Sequence, residues 1–293
     1  MKKIFFLIVL ALTAQTIKAQ ADAFITTWVT TTGFETLTLP AQPDAPNYSI
    51  NWGDGYTNTY IATQVPSHTY FSSGDHTISF TGTFPHLKFV GQTKLKAVQQ
   101  WGTQKWTSMV NMFQNCSTFN NFPTQAPDLS LCTDMSYMFS GATAFNQAIG
   151  SWNVSSVTNM SYMFQVTTVF NQAIGSWNVG GVTTMTSMFN GATAFNQSID
   201  SWNVSKVTNM GDMFYNATAF NQPLGSWNVS QVTNMSNMFN SKLTIANYDA
   251  TLIGWATRGA NGGVLKQGVT FSGGSSNYCN GLGARNFLKN TYG

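Results

Sequence analysis

The sequence predicts an α+β, mostly β chain: a solenoid of about six 25-residue coils preceded by a small antiparallel β-sandwich. Three observations carry that expectation. The phrase Met-x-x-Met-Phe occurs at 109–113, 135–139, 160–164, 185–189, 210–214 and 235–239, first 26 and then 25 residues apart, and every methionine after Met1 belongs to it. A fixed period of this length marks repeats that bury their apolar faces on one another. Residues 20–100 instead show short β-branched and aromatic runs separated by turn residues. Charged residues are only 8% of the chain while aromatics reach 14%, so polarity comes from Asn, Thr, Ser, Gln and Gly, and the aromatic content argues against disorder.

Lys2 and Lys3, the apolar run Ile4 to Leu12 and the small Ala19 predict a signal peptide over 1–19. The run is too short for a membrane span, which needs roughly 20 apolar residues, and no later segment is apolar enough for one. Without Lys2, Lys3 and Lys18 the chain holds 10 basic and 10 acidic residues, which lacks the basic footprint of a nucleic-acid binder.

In the region 20–100, Phe24 to Val29, Phe34 to Leu39, Tyr48 to Trp52 and His76 to Phe80 read as strands, and Gly53-Asp54-Gly55 as a tight turn. Asp54 is expected to fix that turn by accepting backbone N–H bonds rather than to bind calcium, whose sites need several oxygens. His68, His76 and His86 have no nucleophile pattern beside them and are expected to be structural. Trp52-Gly-Asp-Gly55, His68-Thr-Tyr70 and Gly74 before His76-Thr-Ile-Ser-Phe resemble the polycystic-kidney-disease (PKD) type Ig-like domain, with His76 where that family usually has Tyr. The resemblance implies an extracellular spacer.

The repeats occupy 101–240. A full unit reads Met135-Ser-Tyr-Met-Phe139, Ala142-Thr-Ala-Phe-Asn-Gln147, Ile149-Gly-Ser-Trp-Asn-Val154, Val157-Thr. Trp101 precedes Met109 as Trp152 precedes Met160, so the array begins near Trp101. The earlier block is worn, with Pro127, Leu129 and Cys132 where Trp152, Val154 and Val157 stand later. Ile149-x-x-Trp152-x-Val154 has the spacing of the strand of a leucine-rich repeat, and Met160, Met163 and Phe164 have the spacing of one short helical turn behind it. The methionine row is expected to fill core gaps rather than to bind copper(I). Asn153, Asn178, Asn203 and Asn228 are expected outward or bonded to adjacent backbone. Asn146, Asn171, Asn196 and Asn221 are expected to form a buried ladder that satisfies loop backbone groups. Cys116 and Cys132 read as buried free thiols, a disulfide between them being the alternative in an exported protein, which would leave Cys279 over.

The repeat phrase resembles the bacterial surface-protein repeat of about 26 residues found in BspA-like leucine-rich-repeat surface proteins and Mycoplasma-type lipoproteins. That resemblance implies an extracellular, often adhesive and non-enzymatic protein, and it transfers no catalytic residue.

After the repeats, 241–293 is expected to form a C-terminal cap. Asn247 to Arg258 reads as a helix with Asn247 as N-cap and Asp249 in its first turn, Val269-Thr-Phe271 as a strand, and Ala284 to Asn290 as a second helix.

The expected function is a secreted or cell-surface, non-enzymatic protein that binds extracellular protein or glycan through the repeat face, its ligand-binding residues unnamed by the sequence. The alternatives are a structural spacer or matrix protein, and a polysaccharide-acting enzyme. Residues 135–240 hold only Asp200, Lys206 and Asp212 as charged side chains, whereas glycoside cleavage uses a carboxylate pair. No catalytic, cofactor-binding or metal-binding residue is expected, and no cofactor. Oligomeric state is left open.

Overall fold

The computed structural model describes residues 22–260 and 266–292; the expected signal peptide lies outside them. The described residues are mostly β and irregular turn structure, with two helices, two antiparallel sheets, one parallel strand pair and no closed barrel. Strands β1 (Phe24–Thr30), β3 (Asn47–Asn51), β4 (Thr57–Tyr60), β6 (Gly74–Thr83) and β7 (Leu95–Gln100) form a sheet in the order β4-β3-β6-β1-β7, and β2 (Glu35–Thr38) pairs with β5 (Ser67–Tyr70). All these pairings are antiparallel. β1 lies between β6 and β7 and is buried along nearly its whole length. Its polar residues are therefore satisfied locally: Thr26 Oγ1 donates to Ile78 O and accepts from Trp28 Nε1, as buried polar atoms require. The sequence missed β4, β5 and β7, whose short polar or Lys-interrupted runs carry little alternation.

The repeats stack in parallel, and the methionine phrase carries the stacking. The N–H groups of Met135, Tyr137, Phe139 and Gly141 donate to the carbonyls of Asn159, Ser161, Met163 and Gln165 in the next repeat, at 2.7–3.0 Å. Between them, Met138, Ser140 and Ala142 donate three residues back within their own repeat. Single parallel bridges link Ser108, Asp134, Asn159, Thr184, Asn209 and Asn234 in sequence. This corrects two expectations. No strand forms at 149–154, where the bonds Trp152 N to Ile149 O and Val157 N to Val154 O close turns instead. No helical turn forms at Met160–Phe164 either. The spacing of three that suggests a helix is equally that of consecutive i to i+3 turns, and Tyr162, at φ 60°, has left-handed backbone that no α-helix accommodates.

Each repeat but the last carries two such left-handed positions. The first holds Asn111, Tyr137, Tyr162, Ser187, Asp212 and Asn237; the second holds Asn115, Gly141, Val166, Gly191 and Asn216. Inside the stack the phenylalanines form two columns. Phe113, Phe139, Phe164, Phe189, Phe214 and Phe239 stack at 5.4–5.7 Å between centroids. Phe119, Phe145, Phe170, Phe195 and Phe220 stack at 5.8–6.1 Å. Both spacings exceed the roughly 4.8 Å between adjacent hydrogen-bonded chains because the rings are offset. All six Met-x-x-Met pairs are buried, and each buried Met or Phe contributes about 1.5–3 kcal/mol.

The first sheet and the stack share one core. Phe24 of β1 contacts Trp101 and Trp106, and Trp101 contacts Trp152. At the other end, β8 (Met235–Phe239) pairs in parallel with β9 (Phe271–Gly273), two residues later than the strand expected from Val269. Helix α1 (Ile245–Ala260) follows β8, and α2 (Leu282–Tyr292) contains the second expected helix. α1 starts at Ile245, so Asn247 is not its N-cap and Asp249 is not in its first turn. Both have other work. Asn247 Nδ2 donates to Asn221, and the Asp249 carboxylate accepts the N–H groups of Cys279 and Asn280 ahead of α2.

Candidate functional site

Most residues that drew attention in the sequence are engaged in holding the fold. Asp54 accepts from Tyr56 N at 3.4 Å and pairs with His68 Nε2 at 2.6 Å, and His68 stacks on Trp52. The sequence foresaw the turn bond but not the His68 contact, which needs β5 brought beside the turn. His76 stacks on Tyr70 and meets Thr30 Oγ1, while His86 is buried between Asp44 and the Val110 carbonyl. Burial holds both His76 and His86 below the usual imidazole range. Cys116, Cys132 and Cys279 are free thiols. Cys116 Sγ lies 2.9 Å from Phe89 O, and burial pushes Cys116 and Cys132 up to about 12, which makes them poor nucleophiles. Among the described residues no group of three or more His, Cys, Asp or Glu is placed to hold a metal, and no helix is long and apolar enough to cross a membrane.

The Asn ladder exists, but it is half-buried to exposed rather than buried. Asn146, Asn171, Asn196 and Asn221 each donate their backbone N–H to the side-chain oxygen of the Asn one repeat earlier, at 2.8–3.0 Å. The neighbouring Gln172, Gln197 and Gln222 donate to the same oxygens. Helix α1 ends the ladder: Thr244 N and Asn247 Nδ2 both reach Asn221 Oδ1. Asn247 lies 25 residues after Gln222, so the repeat register, carried one step further, would have found it. These oxygens are consumed by the stack and are not presented to a ligand.

The opposite turn is different. Its tryptophans point inward, and Trp177, Trp202 and Trp227 donate Nε1 to Ile149, Ile174 and Ile199 O in the preceding repeat. Trp255 of α1 continues the row to Leu224 O at 2.8 Å. It lies 28 residues after Trp227, and that slip hides it from a 25-residue search. The alternate residues Asn153, Asn178, Asn203 and Asn228 face outward, and each accepts from the N–H two residues on. Their side-chain N–H groups therefore project from the surface. Gly150, Gly175 and Gly225 line up beside this row, where a Cβ would come within 2.4–2.6 Å of the adjacent carbonyl.

Asp200 stands in that glycine column. Its carboxylate accepts from Ser226 N at 2.9 Å and Ser226 Oγ at 2.7 Å. Above it, Arg258 of α1 donates to Ser226 O at 2.6 Å. Ser198, Asp200, Asn203, Asn228 and Arg258 line a surface groove of about 700 Å³. Arg258 was not singled out in the sequence, since only α1 docked on the last repeat brings it over this turn. Asp212 sits elsewhere, at a left-handed position of the methionine phrase with its N–H bonded to Ser236 O, and it does not line the groove.

The family described as Mycoplasma protein of unknown function, DUF285, matches residues 79–181 and again 133–255. Together the matches cover more than half of the 293-residue chain, and the protein belongs to that family. No curated protein and no solved structure matches it.

Proposed function

We propose that this is an exported, non-enzymatic binding protein of the BspA-like surface type. In this reading a PKD-like domain precedes a leucine-rich-repeat-like solenoid, whose polar face holds an extracellular glycan or protein. The observation that carries it is the groove of Asp200, Asn203, Asn228 and Arg258, where donors and acceptors meet on a regular surface. Hydroxyl, amide, carboxylate and guanidinium groups match the donors and acceptors of a sugar, so the groove favours a glycan. The alternatives stay distinct in their consequences: a spacer binds nothing, and a polysaccharide-acting enzyme releases reducing sugar. Asp200 already takes two bonds from Ser226, and no second carboxylate lines the groove, which speaks against the enzyme.

Parallel glycan and protein arrays test the reading. A hit weakened about tenfold by Arg258→Ala or Asp200→Asn is the expected result. No hit on either array removes the binder in favour of the spacer. Reducing-sugar release abolished by Asp200→Asn would establish the enzyme.

A further inference from the structure

A second concavity lies at the far end of the stack, on the other side of α1. Its floor is the last repeat, through Val229 and Val232, and its walls are Leu252, Phe271 and Leu288. The volume is about 620 Å³, within the range of small-molecule sites. Its charged lining is one-signed: Lys266, Arg285 and Lys289 line it beside the hydroxyls of Thr270, Ser276 and Tyr278, and no carboxylate does.

The sequence accounts for that sign. Residues 250–293 contain Arg258, Lys266, Arg285 and Lys289 and no Asp or Glu, although acids and bases balance once the leader is set aside. Asp249, the one carboxylate of α1, is turned to the N–H groups of Cys279 and Asn280. Among the described residues none of the three cations forms an ion pair. Arg285 instead lies 5.3 Å from the centroid of the Tyr278 ring, which leaves its charge without an acidic partner. An apolar cavity ringed by uncompensated positive charge complements a ligand with a hydrocarbon body and one anionic head.

The geometry points to a binding site, in the cavity between the last repeat, α1, β9 and α2, for a single-chain amphipathic carboxylate such as a long-chain fatty acid. The chain packs on Val229, Val232, Leu252, Phe271 and Leu288, and the carboxylate meets Arg285 with Lys266 and Lys289. This site is independent of the groove at Asp200, so failure of either leaves the other standing.

The test is titration of the full chain with dodecanoate and, separately, with dodecan-1-ol, read by calorimetry and by the change in total tryptophan fluorescence, to which Trp255 in the cavity wall contributes. Dodecanoate is expected to bind one to one below its micellar concentration, and the alcohol at least tenfold more weakly. The double variant Arg285→Glu/Lys289→Glu is expected to weaken dodecanoate at least tenfold and to leave the alcohol within twofold. No saturable binding of dodecanoate overturns the proposal, and so does equal affinity for acid and alcohol, or a double variant that binds as the parent does. Should the variant lose its circular-dichroism signature, the acid–alcohol comparison on the unaltered protein decides. Equal uptake of anionic and neutral phospholipid vesicles without dodecanoate binding would also refute it.

Discussion

The first sheet and the repeat stack satisfy their polar groups in opposite ways. In the sheet region carboxylates find individual partners: Glu35 with Lys94, Asp44 with His86 and Lys88, Asp54 with His68, and Asp75 with Lys96. Among the described residues, no ion pair occurs in the stack. There Asn bonds to Asn, and Thr158, Thr183, Thr208 and Thr233 bond back through Oγ1 to the Thr carbonyl one repeat earlier. The difference follows from periodicity. A residue in a stack has its own equivalent as neighbour, so a repeated charge would face a like charge roughly 5 Å away. A neutral amide offers its oxygen to the backbone N–H of the next Asn without adding a charge. The low charge content of the chain is thus a consequence of stacking, and Asp200, Lys206 and Asp212 are tolerated as single departures.

The largest expected effect breaks this rule deliberately. Asn146→Asp, Asn171→Asp or Asn196→Asp alone keeps the accepting oxygen and is expected to cost less than about 0.5 kcal/mol. The triple variant creates two adjacent like-charge pairs, each worth about 1 kcal/mol in partly screened surroundings. Its loss should exceed the sum of the singles by about 2 kcal/mol and shrink in 1 M salt. Urea unfolding measures it, and simple additivity at low salt would refute the account.

Tryptophan offers a smaller contrast. Trp227 Nε1 donates to Ile199 O, whereas Trp101 Nε1, at the junction with the first sheet, is buried without a hydrogen-bond partner among the described residues. Trp227→Phe is expected to cost about 1 kcal/mol more than Trp101→Phe, the net worth of one hydrogen bond. Equal losses in denaturant midpoint would mean that the ladder adds nothing.

A third variant should stabilise. Val166 is β-branched at φ 56°, in a column where two other repeats have Gly. Val166→Gly relieves left-handed strain of about 1–2 kcal/mol. The added freedom of the unfolded glycine offsets part of it, leaving a gain of about 0.5–1 kcal/mol in Tm or urea measurements. A loss would show that packing of the half-exposed valine outweighs its backbone strain.

The smallest effect is a pH dependence confined to the sheet region. Lys94 beside Glu35, helped by the N–H groups of Thr31 and Thr32, lowers its carboxyl to about 2. Because the folded value lies below the unfolded one, the contribution is full above the ordinary carboxylate range and fades as pH falls toward 2. Glu35→Gln should therefore lower Tm slightly at pH 7 and not at pH 2. A Tm gap that is the same at both pH values would sink this assignment.

Legibility from the sequence follows the same division. The repeat register, the buried methionines, the Asn ladder and the outward Asn row could all be read because a period repeats the evidence several times over. The local backbone could not. Met160, Met163 and Phe164 at spacings of three and four fit a helix and a run of tight turns equally well, and only the left-handed residue between them separates the two. β4 and β5 were missed because short strands with little apolar alternation gain their place from partners far along the chain. The groove was half legible: Asp200 stood out against a neutral repeat, but Arg258 gave no sign.

The sequence by itself therefore determined the period, the inward face and the neutrality of the stack, since each is a local pattern repeated at fixed intervals. Only the tertiary structure decided which phrase carries the inter-repeat hydrogen bonds, how α1 takes over both ladders through Asn247 and Trp255, and where the acid-free end forms an open concavity. Those outcomes depend on backbone sign and on docking between segments without a common period, and no local pattern of side chains encodes either.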